Sequence, residues 1–548
     1  MSYYHEVIPF GQINENLTYK SNQKIALGSI VEISLRGKKS AGVVLSTISP
    51  DQIKFDLKKI LQIKSIYSYH LKKEVLEFNQ YVSKHYFIDL GMVYKMGIQQ
   101  FPSNKLKDFY FFSQKIITSQ KNLMKEFNLS SKKWKELISN KSIITTSKSF
   151  LFREMEKKIS LNSEQYKIFQ NIWKREKINF ATHLIDGVTG SGKTELYFKI
   201  IEENLKKGNQ TLVLLPEIAL TEEWSNRFSK YFGCDPFVWH SKQTKLQKSR
   251  ILRSLLSGEP CVIVGARSAV LLPFQNLKLI ICDEEHDSSF KQEDGPKYHA
   301  RDMAIYKAKC YNAICALVSA SPSLESLYNI QKNKVFKHKL NNQYHKTQLP
   351  EISLIDMNSS KPSSKTWISK KIYDETLNIL KKKGQVLFFL NRRGYAPTKI
   401  CSNCHTAIQC QNCAVNLVYH KKIDRLICHH CSSFYDPNQI CKMCSSEKFI
   451  SLGIGLERLQ EEVDRLFPGF NSQLFSSDTL SSKKNKKNLI ENIYNRETNL
   501  LIGSQIIGKS FHFPNLKLVN IIDGDSSLFS PDFRAMEKTY QLLQQVAG

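Results

Sequence analysis

Residues 182–207 read THLIDGVTGSGKTELYFKIIEENLKK. A short apolar run leads into Gly187–Thr194, GVTGSGKT, which matches the phosphate-loop pattern G-x-x-x-x-G-K-[ST], and an amphipathic stretch follows at once. Strand, glycine-rich loop and helix in that order are what the chemistry requires. Gly187, Gly190 and Gly192, with Thr189 and Ser191 between them, let consecutive backbone N–H groups turn toward a β-phosphate at the helix N-terminus. Lys193 neutralises β/γ-phosphate charge and the Thr194 hydroxyl ligates Mg²⁺, so the implied cofactors are ATP and Mg²⁺.

Outward from this loop, short apolar runs alternate with longer amphipathic ones from Leu161 onward, the pattern of a parallel sheet with crossover helices. Candidate strands are Thr182–Ile185, Thr211–Leu215, Val262–Val264, Lys278–Cys282 and Ala316–Ser319. A second series holds Val386–Leu390, Gln473–Phe475, Leu500–Ile502 and Leu518–Ile522, which implies two successive α/β lobes, 161–345 and 346–548. Some ninety residues past the loop, LKLIICDEEHDSS (277–289) places Asp283 and Glu284 directly after an apolar strand. This is a DExH box. Asp283 would hold Mg²⁺ through its water shell and Glu284 would orient or deprotonate the attacking water, so Lys193, Asp283 and Glu284 form the candidate catalytic set.

At 548 residues the chain is too long for one hydrophobic core. Its 79 Lys+Arg against 50 Asp+Glu give a net charge of +29, while 41% hydrophobic and 11% aromatic residues exclude wholesale disorder. No run of 18 apolar residues exists to span a bilayer, and MSYYHEVIPF has no basic region leading into an apolar one. A cytosolic protein with a polyanionic partner and no membrane role is expected. Residues 24–45, KIALGSIVEISLRGKKSAGVVL, show β-branched alternation broken by glycines, so 1–105 reads as a small β-rich domain with a helical stretch over 69–96. The segment 106–160 reads as a winged-helix-like module. Its surroundings, 101–160, carry 13 basic and 5 acidic side chains.

Of 13 cysteines, eight form four C-x-x-C knuckles: Cys401/Cys404, Cys410/Cys413, Cys428/Cys431 and Cys441/Cys444. Four knuckles supply two tetrahedral S₄ zinc sites within an insertion at 401–450 of the second lobe, and a chain without a signal peptide argues against disulfides. Spacing leaves the pairing of knuckles open. His405, His420, His429 and His430 lie nearby, yet eight thiolates already complete two sites. The remaining five cysteines read as small buried hydrophobes. After the DExH box, Phe290, Tyr298 and His299 interleave with Lys291, Lys297 and Arg301. Aromatic faces can stack bases while cations meet phosphates; the other reading folds the rings back onto the lobe.

Several strings carry a family resemblance: LLPEIALT (Leu214–Thr221), GARSAVLLPF (Gly265–Phe274), DEEHDSSFKQEDGPKYHARD (Asp283–Asp302) and NRRGYA (Asn391–Ala396). From about residue 160 onward they resemble the primosomal protein N′ (PriA) family of bacterial replication-restart DNA helicases. The resemblance implies a superfamily 2 helicase with two RecA-like parallel-sheet lobes, a nucleotide cleft between them, and ATP-driven 3′ to 5′ unwinding at stalled forks. It assigns Gln165 to adenine and the loop with Phe290, Lys297, Tyr298 and Arg301 to single-stranded DNA; Arg267, Arg392 and Arg393 are phosphate-binding candidates at the lobe faces, with a structural salt bridge as the other reading of each. It makes SASPSLES (Ser319–Ser326) a coupling motif and GSQIIGKSFHFP (Gly503–Pro514) a second-lobe DNA and nucleotide motif. It nests the zinc knuckles, Cys401/Cys404 with Cys441/Cys444 outside and Cys410/Cys413 with Cys428/Cys431 inside. It implies forked and single-stranded DNA, single-stranded-DNA-binding protein and helicase-loading proteins as partners of a monomer in the bacterial cytoplasm, at the nucleoid.

Departures from the family pattern accompany it. Ala266, Ser321 and Ser510 replace a usual Thr, Thr and Gly, and Pro9-Phe10-Gly11 stands where the family reads Pro-Leu-Asp at a pocket for a 3′ end. The chain stops at QLLQQVAG (Gln541–Gly548), ahead of the family's arginine-finger motif and C-terminal domain. The second expectation is therefore a catalytically impaired DNA-binding and zinc-docking scaffold.

Overall fold

The computed structural model describes residues 2–98, 108–111, 116–118, 130–140, 143–146, 160–174, 180–341, 350–357, 366–390, 399–475, 491–504 and 515–547, with Leu489 and Phe513. Within these spans 54–55, 189, 217–221, 242, 405, 414–415, 421–423, 429–430, 438, 452–455, 526–527 and 529–531 are excepted. The chain divides into two compact units, Met1–Lys346 and Thr347–Gly548.

The first unit begins with a five-stranded antiparallel sheet of order β2-β1-β4-β3-β5: β1 (Tyr3–Pro9), β2 (Leu17–Ser21), β3 (Ser29–Leu35), β4 (Lys38–Ile48) and β5 (Ser65–His70). Alternation along the strands gives it two apolar faces. Val7, Tyr19, Val31, Ile33 and Val44 close a small core on one side. Ile8, Ile30 and Val43, pointing the other way, pack with helices α1 (Lys73–Tyr86) and α2 (Leu90–Gly97) into the main core of the unit. The helical stretch expected over 69–96 is thus two helices, preceded by an edge strand. Between 106 and 160 the described residues form a three-stranded antiparallel sheet, β6 (Asp108–Phe111), β7 (Ile116–Thr118) and β8 (Ile143–Thr146), with α3 (Ser131–Ser139).

The α/β part of this unit is α4 (Ser163–Lys174), β9 (Ala181–Gly187), α5 (Lys193–Lys206), β10 (Gln210–Leu214), α6 (Glu222–Phe232), β11 (Phe237–Trp239), α7 (Lys245–Leu256), β12 (Val262–Gly265) and β13 (Leu277–Asp283). A hairpin of β14 (Lys291–Gln292) and β15 (Tyr298–His299) leads into α8 (Ala300–Cys310), β16 (Ile314–Ser319), α9 (Leu324–Gln331) and β17 (Phe336–Leu340). The seven-stranded sheet, order β11-β12-β10-β13-β16-β9-β17, is parallel throughout. The five anticipated strands are its centre, and the edge strands β11 and β17 are additions.

The β-rich domain and this lobe share one core. At their junction Lys307 of α8, buried at 1% exposure, donates from Nζ to the Val270 and Leu272 carbonyls at 2.8 and 2.6 Å, 4.6 Å above the Phe78 ring of α1. Burial pushes its ammonium down to about 7. Gly97 closes the same junction, because a Cβ there would stand 2.4 Å from the Leu271 carbonyl.

In the second unit, α10 (Lys370–Lys381), β18 (Gln385–Leu390), α11 (Leu456–Leu466), β24 (Ser472–Phe475), β25 (Leu500–Gly503), β26 (Leu516–Ile522) and α12 (Ala535–Ala547) build a four-stranded parallel sheet of order β24-β25-β18-β26. Strand β18 is buried on both faces: Val386, Phe388 and Leu390 enter one core, Leu387 and Phe389 the other. Both lobes are therefore parallel-sheet α/β structures, as the run lengths required. The cysteine insertion begins and ends with the antiparallel pair β19 (Lys399–Cys401) and β23 (Phe449–Ser451), Cys401 facing Phe449, which brings its two ends side by side, and between them β20 (Val418–His420), β21 (Arg425–Ile427) and β22 (Phe434–Tyr435) form a three-stranded antiparallel sheet.

Candidate functional site

Strands β9, β16 and β13 are neighbours and parallel, so three loops leave their carboxyl ends together, the usual place for a ligand in open α/β sheets. The phosphate loop follows β9, Ser319–Ser326 follows β16, and the acidic box follows β13. Gly190 and Gly192 adopt φ of 75° and 79°, a region that residues with a Cβ rarely enter, and this curls the loop into the start of α5. Lys193 Nζ donates to the Gly187 and Val188 carbonyls at 2.7 and 3.0 Å. Burial lowers its pKa, against the pull of the Glu284, Asp283 and Asp186 carboxylates. Ser191 Oγ is buried with no hydrogen-bond partner among the described residues. A loop with a desolvated ammonium and an orphaned buried hydroxyl fits a polyphosphate. Thr189 lies outside the described residues.

Gln165, assigned to adenine, is fully buried on α4, and its Nε2 donates to the Ser191 and Gly192 carbonyls at 3.3 and 3.1 Å. Asn162 locks it in place by a reciprocal pair of bonds: the Asn162 N–H donates to Gln165 Oε1 at 3.0 Å and the Gln165 N–H to Asn162 Oδ1 at 2.8 Å. In this structure its carboxamide braces the phosphate loop.

At the end of β13, the Glu284 N–H donates back to Asp283 Oδ1 at 3.0 Å, a contact made possible by left-handed backbone at Glu284 (φ 49°). The other Asp283 oxygen accepts from the Tyr197 hydroxyl at 2.9 Å, and Tyr197 in turn accepts from Trp224 Nε1 at 2.7 Å. Burial raises the Asp283 pKa; Lys193 and Tyr197 oppose that shift. Glu285 is wholly buried. It accepts from Arg301 Nη1 (3.2 Å), from the Ser323 N–H (2.7 Å) and hydroxyl (3.0 Å), and from Ser326 Oγ (2.9 Å). His286 Nδ1 lies 2.7 Å from Ser319 Oγ and its Nε2 lies 3.5 Å from Ser321 Oγ. The acidic box is thus wired to the β16 loop, the anticipated coupling motif, through Glu285 and His286, to which the sequence reading gave no role of their own. A polar string bounded by apolar strands was the available signal.

The aromatic loop is where expectation and structure part. Phe290 is fully buried, Tyr298 is 3% exposed and Arg301 is 5% exposed. The two rings join the lobe core and the guanidinium is held by Glu285 and Asp302, so none of the three offers a face to DNA. The cause is the β14–β15 hairpin, which turns the rings inward while Lys291 and Lys297 stay in water. Arg267 is half-buried, its Nη1 donating to the Ser289 and Lys291 carbonyls at 3.3 and 3.4 Å, which ties the 3₁₀ turn after β12, Arg267–Leu271, to the same loop. Arg392 and Arg393 lie outside the described residues, as does Ser510.

The eight knuckle cysteines form two quartets, Cys401, Cys404, Cys441 and Cys444, and Cys410, Cys413, Cys428 and Cys431, the sulfurs of each within 4.8 Å of one another. The nesting is the one implied by the family resemblance. Sulfur separations of 3.3–3.6 Å across the quartets compare with about 3.8 Å between corners of a zinc tetrahedron with Zn–S of about 2.3 Å. The Cys404 backbone N–H lowers Cys401 to about 6 and the Tyr435 hydroxyl lowers Cys410 to about 6, whereas, against the Ser446 backbone N–H, the neighbouring Cys401 sulfur and burial raise Cys444 to about 11. His405, His429 and His430 lie outside the described residues. Of the five scattered cysteines read as buried, Cys261, Cys282 and Cys315 are buried, whereas Cys234 and Cys310 are only partly so.

A phosphate loop after one strand, a carboxylate box two strands away and a serine loop between them define the ATP-binding lobe of a DExH helicase. Residues 162–330 match the DEAD/DEAH box helicase family, residues 6–99 the 3′DNA-binding domain, and residues 410–433 the PriA DNA helicase Cys-rich region domain. The chain is 36% identical over 526 residues to replication restart protein PriA of Rickettsia conorii, covering 96% of this chain and 74% of that one. It is 38% identical to the Haemophilus influenzae protein over 76% of this chain and 55% of that one, and 37% identical to the Bacillus subtilis protein over 73% and 50%. The chain belongs to the PriA family of replication restart proteins. Family membership supports a helicase and not the impaired scaffold. Among solved structures, RecG bound to a three-way DNA junction aligns over 99% of this chain and 72% of its own at 12% identity, TM-score 0.39. No helix among the described residues is long and apolar enough to cross a membrane.

Proposed function

We propose that this chain is an ATP-driven 3′ to 5′ DNA translocase that opens forked DNA during replication restart. The observation that carries the reading is the convergence of the β9, β16 and β13 loops at the carboxyl end of the sheet. Bound ATP with Mg²⁺ supplies the phosphoanhydride whose hydrolysis drives the cycle. The Lys193 ammonium would exchange the Gly187 and Val188 carbonyls for phosphate oxygens; Thr194, and Asp283 through its water shell, would hold the cation; Glu284 would orient or deprotonate the attacking water. Glu285 and His286 connect that chemistry to the Ser319–Ser326 loop. Gln165, Gly187, Thr189, Gly190, Ser191 and Gly192 shape the nucleotide pocket.

The same reading divides the chain into a 3′-end-binding domain (1–105), a winged-helix-like module (106–160), an ATP-binding lobe (161–345) and a second lobe (346–548) with two structural zinc ions at 401–450. DNA contacts fall to Arg267, Lys297, Arg392 and Arg393. Single-stranded-DNA-binding protein and helicase loaders are the protein partners of a monomer in the bacterial cytoplasm. A DNA-stimulated ATPase assay with Lys193→Ala as control tests the motor. Turnover in the parent chain should exceed the variant by a hundredfold or more, and equal rates would refute the motor.

A further inference from the structure

Two arginines beside the acidic box are committed to the lobe. Arg301 is buried against Glu285 and Asp302, and Arg267 holds two hairpin carbonyls. Arg227 of α6 differs from both, because 45% of its side chain is exposed. Its Nη2 donates to Glu195 Oε1, and among the described residues this is the one hydrogen bond the guanidinium makes. Most of its N–H donors remain available.

The position of that pair matters more than its strength. Two polar rungs tie the start of α5 to α6: Trp224 reaches Tyr197, and Arg227 reaches Glu195. Glu195 lies in the first turn of α5, directly after Thr194, so the second rung is about 3 Å nearer the phosphate loop than the first. Tyr197 also donates to Asp283, which puts the rungs on the acidic-box side of α5. The Arg227 charge reaches that carboxylate and, with Lys193, favours its ionised form against burial. The guanidinium is therefore level with the phosphate-binding end of the helix.

An ion pair this open to water contributes little to stability, so its carboxylate is easily exchanged for another anion. Guanidinium meets phosphate through two parallel N–H groups, a stronger contact than one bond to a carboxylate. Glu195, Asp283 and Glu284 already gather negative charge at the loop, and a bound nucleotide adds more. Arg227 is a cation with donors to spare at that place.

We infer that Arg227 is a nucleotide-sensing residue of this lobe, which leaves Glu195 for the terminal phosphate of ATP, a contact that ADP lacks. The inference rests on the ATP-binding reading above and adds to it a residue that tells the two nucleotides apart.

The test measures binding rather than turnover, on the full chain with Mg²⁺, using mant-labelled ADP and a mant-labelled β,γ-imido analogue of ATP. Arg227→Ala should reduce the preference for the ATP analogue over ADP by about fivefold or more, because only the former loses a charge-assisted phosphate contact. Glu195→Ala breaks the same tie between α5 and α6 but leaves the guanidinium in place, so it should bind the ATP analogue as tightly as the parent or more tightly. Thermal melting of both variants should stay close to the parent, as for an exposed pair. A smaller change of preference in Arg227→Ala overturns the sensor, and so does the same ATP-selective loss in Glu195→Ala, which would reduce the pair to a tie between helices. A parent chain that binds neither nucleotide overturns the ATP-binding reading itself, and the inference with it.

Discussion

The phosphate-loop edge and the zinc insertion are built by opposite means. At the carboxyl end of the sheet each functional side chain is placed by distant packing: Asp283 is fixed by Tyr197 and Trp224, which come from α5 and α6, and Glu285 by residues 16 to 41 positions away. In the insertion, each sulfur is placed by its own knuckle, and the small core beneath consists of Cys410, Leu417, Leu426 and Cys428 with partly buried neighbours. One site is a consequence of a hydrophobic core; the other substitutes metal for one.

That contrast makes metal removal the largest expected effect. Structural zinc contributes on the order of 10 kcal/mol to small metal-folded segments. Chelation, or Cys401→Ser with Cys441→Ser, should release metal and expose the insertion to protease while nucleotide binding by the first unit persists. Denaturation should liberate two zinc equivalents per chain, measured with a chromogenic chelator, one for each quartet. Loss of nucleotide affinity together with zinc would break the distinction between the two regions.

The next effect lies within the buried network at the carboxyl end of the sheet. Removing one partner of a buried ion pair leaves the other charge uncompensated, at about 3–5 kcal/mol. Arg301→Ala should therefore lower stability by that order, read from denaturant unfolding of the first unit. An exposed base-contacting arginine would show no such loss.

This site also marks how far the sequence could be read. The central strands of the first sheet and the strands of the second were legible as short, mostly apolar runs, and the phosphate loop because its glycines precede a helix. The zinc ligands were legible because knuckle spacing is local. The edge strand β17, FKHKL, was not, since its exposed alternate positions look like a polar loop. Phe290 and Tyr298 were misread for a related reason: aromatics among lysines describe a hydrated loop and an inward-facing hairpin equally well, and only the register Gln292 to Tyr298 decides. The Tyr197–Asp283 contact spans 86 residues and has no local signature.

That contact yields a smaller effect. A single hydrogen bond is worth about 0.5–1.5 kcal/mol, so Tyr197→Phe should slow ATP hydrolysis by up to about tenfold. If Tyr197 positions Asp283, the Mg²⁺ concentration giving half-maximal rate should rise as well; a purely structural tyrosine would leave it where it was.

The smallest effect separates the two kinds of basic residue in the aromatic loop. Lys297 is exposed and Arg301 is buried, four positions apart on either side of β15. Lys297→Ala should leave unfolding within about 0.5 kcal/mol of the parent, as surface substitutions do. If Lys297 meets a phosphate, its removal weakens binding to all sequences alike and reduces the slope of log affinity against log salt by about 1, because one fewer counterion is released. Titrations at several salt concentrations read that slope directly. An unchanged slope would take Lys297 off the DNA path and leave the hairpin with a structural role alone.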